Sequence, residues 1–345
     1  MCRILCQKLP FLLTMQTPER SDLLPAIAEL ATGHFEQTAL SVFRYQARHN
    51  ELYARYLKLL GRSVADVHSL AEIPFLPIQF FKQHTIQTGV WTPQTTFLSS
   101  STSGQTPSKH YVRDLNYYLQ NTRHGFAGFY GDPSEWCILA LLPSYLERSG
   151  SSLVAMADYF IRCSKHPESG FFLNDFTALR EKLSICQSNG YKTLLLGVSF
   201  ALLDFAEQCP MDLSGVTIME TGGMKGRRKE LTRAELHRTL IEAFGVQAVH
   251  AEYGMTELFS QAYALGGDIF CPAPTMRVIA TEINDPFCQV AAGRSGVLNI
   301  IDLANLDTCS FLQTEDVGKV SADGRFEVLG RLDVAEMRGC NLMVE

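Results

Sequence analysis

The sequence predicts an α/β fold: a large domain with a mostly parallel sheet flanked by helices, followed by a smaller β subdomain. Three observations predict it. Apolar runs at 136–142, 193–198 and 216–219 alternate with amphipathic stretches between about 95 and 275, as in parallel strands covered on both faces. The third run is followed by a helix with its own punctuation. Thr232 and Glu235 form a capping box, Leu236, Leu240, Ile241 and Phe244 make the apolar stripe, and Gly245 stands just past the end. After about 275 the texture becomes strand-like at 276–283, 296–303, 319–320 and 326–329, with Asp323-Gly324 as a turn signal between the last two.

The remaining elements follow in order. Residues 20–60 read as helical, because Phe35, Leu40, Phe43, Tyr45, Tyr53, Tyr56, Leu57 and Leu60 recur near helical spacing and Gly61 ends the region. The apolar segment 73–81, with Pro74 and Pro77, reads as an extended connector. Leu153, Met156, Ala157 and Phe160 make a helical face between the first two strands, and 246–249 reads as a further short strand. Three units result: a helical region and connector at 1–94, an α/β core at 95–275, and a β subdomain with its tail at 276–345.

Composition excludes several classes. With 345 residues, 46% of them hydrophobic, the chain can bury a large core. Its net charge is −6, and the largest basic cluster is Arg227, Arg228 and Lys229, which predicts neither a nucleic-acid footprint nor a polybasic membrane anchor. No apolar stretch approaches a membrane span. The ten cysteines are irregularly spaced, contain no CxxC and often sit in apolar runs, so a reduced, cytoplasmic chain is expected. Arg3, Lys8 and the run 9–13 outline a weak signal peptide, but no small-residue cleavage site follows, and Met15 is an alternative first residue.

Four segments carry chemistry. Residues 99–110 crowd hydroxyls around one glycine (Ser99, Ser100, Ser101, Thr102, Ser103, Gly104) and close on Lys109. Such a loop wraps a polyphosphate with N–H groups, hydroxyls and a cation; its spacing is not that of a P-loop, and a solvated linker is the alternative. Gly222 and Gly223 follow the strand at 216–219, where open α/β sheets bind ligands, although an ordinary strand-to-helix turn has the same look. In Tyr253-Gly254-Met255-Thr256-Glu257, Tyr253 offers an aromatic face for a base, Gly254 a tight turn, Thr256 a hydroxyl for a phosphate, and Glu257 a carboxylate for Mg²⁺. Asp316, then Gly330-Arg331-Leu332-Asp333 across a hairpin, suits ribose hydroxyls and a sugar or phosphate, with a turn residue and a surface ion pair as the alternatives.

The order of these pieces, over about 97 to 340, resembles the acyl- and aryl-adenylating superfamily of acyl-CoA synthetases, luciferases and peptide-synthetase adenylation domains. Within it, Phe43-Arg44-Tyr45-Gln46 with Asn50 and Tyr53, the segment 74–82, and Arg338-Gly339-Cys340-Asn341-Leu342 resemble LuxE-type acyl-protein synthetases. The resemblance implies ATP and Mg²⁺ as cofactors and a carboxylic, fatty acid substrate converted to acyl-AMP. It also implies Cys340 as acyl acceptor, with a reductase or carrier protein as partner. Cys340 as a small buried hydrophobe is the alternative. Many superfamily members continue past the Gly-Arg-x-Asp region into a lid carrying a lysine. This sequence ends at Glu345, so no lid is expected within it, and Lys109 is the candidate for the main cation at the phosphates. Two rival expectations stand beside this one: an acyl- or aryl-CoA ligase similar to phenylacetate–CoA ligases, and a binding subunit of a reductase complex with weak activity alone.

Overall fold

The computed structural model describes residues 18–30, 33–100, 106–142, 150–222 and 231–332. The chain opens with α1 (Arg20–Ala28), α2 (Phe35–His49) and α3 (Glu51–Leu59), then β1 (Leu76–Pro77), α4 (Phe80–Gln83) and the hairpin β2 (Thr95–Leu98) and β3 (Lys109–Val112). The α/β portion comprises α5 (Leu115–Tyr130), β4 (Cys137–Leu141), α6 (Ser152–Cys163), β5 (Gly170–Phe171), α7 (Phe176–Ser188), β6 (Thr193–Val198), α8 (Ser199–Gln208), β7 (Val216–Thr221), α9 (Arg233–Phe244) and β8 (His250–Tyr253). The remaining strands are β9 (Ala262–Ala264), β10 (Ile269–Pro272), β11 (Met276–Thr281), β12 (Ser295–Asp302), β13 (Phe311–Val320) and β14 (Phe326–Arg331).

Among the described residues the strands form one sheet in the order β11-β12-β13-β14-β10-β9-β8-β7-β6-β4-β5, with β1 beside β13 and the β2–β3 hairpin separate. From β5 to β8 neighbours are parallel; from β8 to β11 they are antiparallel. The expected mostly parallel sheet and the expected β subdomain are therefore hydrogen-bonded into one surface. Strands β4 and β6 are buried along their whole length, which is why they read as unbroken apolar runs. The capping box of α9 is present, and Gly245 holds the left-handed conformation at its end (φ 63°).

Two cores flank this sheet. One packs α5 to α9 on the parallel strands. The other packs α1 to α3 on β11 to β13, with Phe43, Tyr53 and Phe75 ringed around Phe311. The helical region at 20–60 breaks at Asn50, whose side chain accepts from the Tyr53 N–H and starts α3.

Two expectations shift. The strand placed at 246–249 lies at β8: Val246 and Val249 are buried in the turn after α9, while the strand's own His250 and Glu252 disguise it as loop. The connector at 73–81 becomes β1 and the start of α4, because Ile78 N–H donates to Gln313 O (2.9 Å) and fastens it to β13.

Candidate functional site

Strand β8 ends in the middle of the sheet, and the chain leaves it through the Tyr253–Glu257 string. A side chain at Gly254 would crowd the Glu252 carboxyl, Oε1 being the nearest atom to the position its Cβ would take. Tyr253 Oη donates to Asp316 Oδ2 at 2.8 Å. Arg331 Nε donates to Asp316 Oδ1 at 3.2 Å, the two residues facing each other across β13 and β14. The structure thus gathers Tyr253, Asp316 and Arg331 from distant parts of the sequence. The Tyr253 ring packs edge-on to Phe326 and beside Phe270, so it buttresses Asp316 through its hydroxyl where an open stacking face was expected. Burial and the Asp316 carboxylate push its phenol well above the usual range.

Glu257 is buried, and burial raises its carboxyl pKa; a hydrogen bond from Ser108 and the positive charges of Arg331 and Lys82 oppose that rise. The base of the hydroxyl-rich loop is therefore at the site. Ser99 N–H donates to Ser108 O (3.1 Å), and Ser108 N–H donates to Ser99 Oγ (2.8 Å), closing the loop. Ser100 is exposed at its start. Ser101, Thr102, Ser103, Gly104, Gly223 and Cys340 lie outside the described residues. Lys109 is exposed between buried Ser108 and buried His110, so alternation along the strand turns it to the other face of the hairpin. Gly222 adopts a left-handed conformation (φ 67°), and its carbonyl accepts from Ser199 Oγ at 2.7 Å.

A scaffold that sequence reasoning missed fixes the backbone of this string. His110 Nδ1 lies 2.8 Å from Thr256 O and Nε2 lies 3.0 Å from Thr308 Oγ1. A carbonyl only accepts, so the proton sits on Nδ1 and Nε2 accepts from the threonine. Burial, only partly opposed by the Thr256 carbonyl, lowers the His110 pKa to about 4, so the ring is neutral. Asn305 Nδ2 donates to Glu257 O (2.7 Å), and Asp302 Oδ2 accepts from the N–H groups of Phe259 and Ser260 (2.8 and 2.9 Å). A further layer holds residues 305–308 in turn. Gln46 Nε2 donates to the carbonyls of Asn305 and Leu306 (both 3.0 Å), and Asn50 Nδ2 donates to that of Thr308 (2.8 Å). Fully buried polar side chains are the signal for such a clamp: Gln46 lies on the core face of α2 and Asn50 at the junction with α3.

With one buried carboxylate beside a hydroxyl loop, the donor set suits Mg²⁺, which takes one or two protein carboxylates and fills its octahedron with phosphate oxygens and water. Among the described residues no group of three or more His, Cys, Asp and Glu side chains could hold a metal by itself.

Comparison with solved structures follows the same lines. The chain superposes on 2-hydroxyisobutyryl-CoA ligase in complex with 2-HIB-AMP and CoA with a TM-score of 0.63 at 14% identity, covering 87% of this chain and 70% of that one. The fold is that of the adenylate-forming ligases. A second such ligase structure, in the thioesterification state, is covered to 70% by 92% of this chain, also with a TM-score of 0.63 and 14% identity. ATP-bound MatB from Rhodopseudomonas palustris gives a TM-score of 0.52 at 15% identity over 70% of this chain; the chain spans about half of MatB, 49% of its length. No family model matches the sequence, and a search of curated proteins finds no match. Among the described residues no helix is long and apolar enough to cross a membrane.

Proposed function

We propose that this chain activates a carboxylic acid with ATP, forming acyl-AMP and pyrophosphate, and then passes the acyl group to a thiol. The observation that carries the proposal is the convergence of Tyr253, Glu257, Asp316 and Arg331 where the ends of β8 and β14 meet the middle of β13, in a fold shared with ligases that were solved holding ATP or an acyl-AMP. A carboxylate oxygen attacks the α-phosphorus, that P–O bond forms, and the bond to the leaving pyrophosphate breaks. Both reactants are anions, so the site must align them and offset developing charge. Ser100 to Gly104 would cradle the leaving phosphates, Thr256 the α-phosphate, and Gly222-Gly223 the nucleotide by close backbone approach. Asp316 would accept from the ribose hydroxyls, oriented by Tyr253 and Arg331. Mg²⁺ held by Glu257 would neutralise phosphate charge. Among the described residues, Lys82 and Arg331, whose charges act on Glu257, are candidates for the cation at the phosphates; Lys109 would reach them only from the far side of its hairpin.

For the second step we propose the thiolate of Cys340 as acceptor, as the LuxE-type resemblance implies, with a reductase or carrier protein receiving the acyl group. Cys309 is unsuited, because burial pushes its thiol up to about 12. CoA is the alternative acceptor, favoured by the likeness to a ligase solved with CoA. The test is acid-dependent exchange of labelled pyrophosphate into ATP across a panel of acids. Exchange is expected with at least one acid; its absence with all of them, while ATP still binds, overturns adenylation.

A further inference from the structure

Under α5, whose Phe126 and Phe129 pack against Tyr263, the carboxyl ends of β7 and β8 carry polar side chains on the face of the sheet that the helix covers. Thr221, Glu252 and Tyr263 stand side by side across β7, β8 and β9, paired in register Thr221 with Glu252 and Glu252 with Tyr263. Gln261 lies on the same face two residues before Tyr263. All four are more than nine-tenths buried, at 4%, 8%, 1% and 4% exposure for Thr221, Glu252, Tyr263 and Gln261. Thr221 Oγ1 donates to Glu252 Oε2. Glu252 Oε1 crowds the position that a Cβ on Gly254 would take, and Gln261 Cγ lies in ordinary contact with it at 3.6 Å.

Two groups here have no hydrogen-bond partner among the described residues: Gln261 Oε1 and the Tyr263 hydroxyl. The orientation of Gln261 is fixed by its Nε2, which donates to Phe259 O at 3.3 Å, so it is the acceptor end that is left over. Buried polar groups are normally satisfied, and orphans at a site call for a ligand or a water. Gly254, beside Glu252, is exposed, and the cluster lies one residue from the proposed nucleotide site.

We infer that the acid activated by this chain carries a hydroxyl group, bound by Gln261, Tyr263 and Glu252, in place of a plain alkyl chain. The inference rests on the adenylation reading and narrows its substrate. A hydroxyl can donate to Gln261 Oε1 or accept from Tyr263 O–H, so it suits either orphan, whereas an ammonium only donates and a methylene does neither. Burial raises the Glu252 pKa to about 7, against the opposing bond from Thr221, so near neutrality this carboxyl exists in forms that donate and accept. A long apolar acid would leave Gln261 Oε1 and the Tyr263 hydroxyl buried without partners, which is how a hydrogen-bonding site rejects an analogue lacking the hydroxyl.

The test is pyrophosphate exchange by the full chain with matched acids: 3-hydroxybutyrate against butyrate, 3-hydroxydecanoate against decanoate, and 3-aminobutyrate. The hydroxylated member of a pair should be favoured about 100-fold or more in kcat/KM. Gln261→Leu and Tyr263→Phe should each erode that ratio, while Glu252→Gln, which keeps donor and acceptor, should preserve most of it. Equal use of both members, preference for the unsubstituted acid, or preference for 3-aminobutyrate overturns the inference while leaving adenylation intact. If no acid supports exchange, adenylation fails, and equilibrium binding of labelled 3-hydroxybutyrate decides the inference. Binding to wild type that weakens in Gln261→Leu sustains it, and binding equal to that of butyrate overturns it. Far-ultraviolet circular dichroism confirms that each variant is folded.

Discussion

His110 offers a prediction whose size follows from its surroundings. Its ring is fully buried, stacked on Phe259 at 4.7 Å between centroids, and tied to Thr256 O and Thr308 Oγ1. Its pKa is lowered from 6.5 to about 4 by burial. The folded state therefore resists protonation while the unfolded chain accepts it below 6.5. The unfolded state binds more protons between these values, so stability falls as pH drops from about 6.5 to about 4. At 1.36 kcal/mol per unit, lowering the pH from 7 to 5 costs wild type roughly 2 kcal/mol through this residue. Glu252 works in the opposite sense, because its pKa is raised to about 7 and the folded state holds the extra proton. The wild-type curve alone thus decides nothing, and the comparison with His110→Phe isolates the histidine. At pH 7 the variant should be destabilised by about 1–3 kcal/mol, since Thr256 O and Thr308 Oγ1 lose a partner. Urea titrations followed by tryptophan fluorescence at pH 7 and pH 5 should show that deficit shrink by roughly 2 kcal/mol at the lower pH. A deficit that stays constant across pH refutes the assignment of a neutral, buried His110.

Three further outcomes are expected. Thr256→Ala and Glu257→Gln should each lower pyrophosphate exchange by about tenfold to a thousandfold, the range for a lost charge-stabilising contact; near-normal exchange in both removes the string from the chemistry. Asp316→Asn keeps shape but weakens acceptance from hydroxyls, so the ATP concentration needed for half-maximal exchange should rise while thermal melting barely moves. An unchanged ATP titration makes the Tyr253–Asp316–Arg331 cluster structural. Labelled acid with ATP should leave a hydroxylamine-labile label on the chain that Cys340→Ser abolishes without affecting exchange. Label retained in the variant moves the acceptor to another cysteine, and acyl-AMP that persists until CoA is added favours the CoA ligase reading.

What the sequence revealed depended on how local each signal was. The strands β4 and β6 were legible because burial on both faces leaves nearly unbroken apolar runs, β7 through Val216, Ile218 and Met219, and α9 because both of its ends are punctuated. The Asp316–Arg331 pair was half-legible, since Asp323-Gly324 marks the hairpin that brings them together. Helix α5 was missed: Leu115 to Tyr130 contains two glycines and a mixture of aromatic and polar residues on all sides, and only its cap, Asp114 accepting from Tyr117 N–H at 3.2 Å, marks its start. The positions of Lys109 and Tyr253 were hidden for another reason. Composition says what a side chain offers, while the pleat of β3 and the packing of Phe270 and Phe326 decide where it points.

Positioning in this molecule runs inward from the region that looked least functional. Gln46 and Asn50 touch no part of the proposed chemistry, yet they hold residues 305–308, which hold His110 and Glu257 O, which fix the backbone of Thr256 and Glu257. All of these links but the part-buried one from His110 to Thr256 O are buried hydrogen bonds between groups that would be costly to leave unpaired, so the arrangement is over-determined. That argues for a site organised in advance of binding, where charge stabilisation comes from dipoles already in place. It also accounts for why the residues behind the LuxE-type resemblance at 43–53 sit far along the chain from the nucleotide string. Tyr53, whose hydroxyl donates to Pro74 O at 2.6 Å, ties α3 to the segment that enters β1. The same helices therefore anchor both the strand beside Asp316 and the loop behind Glu257.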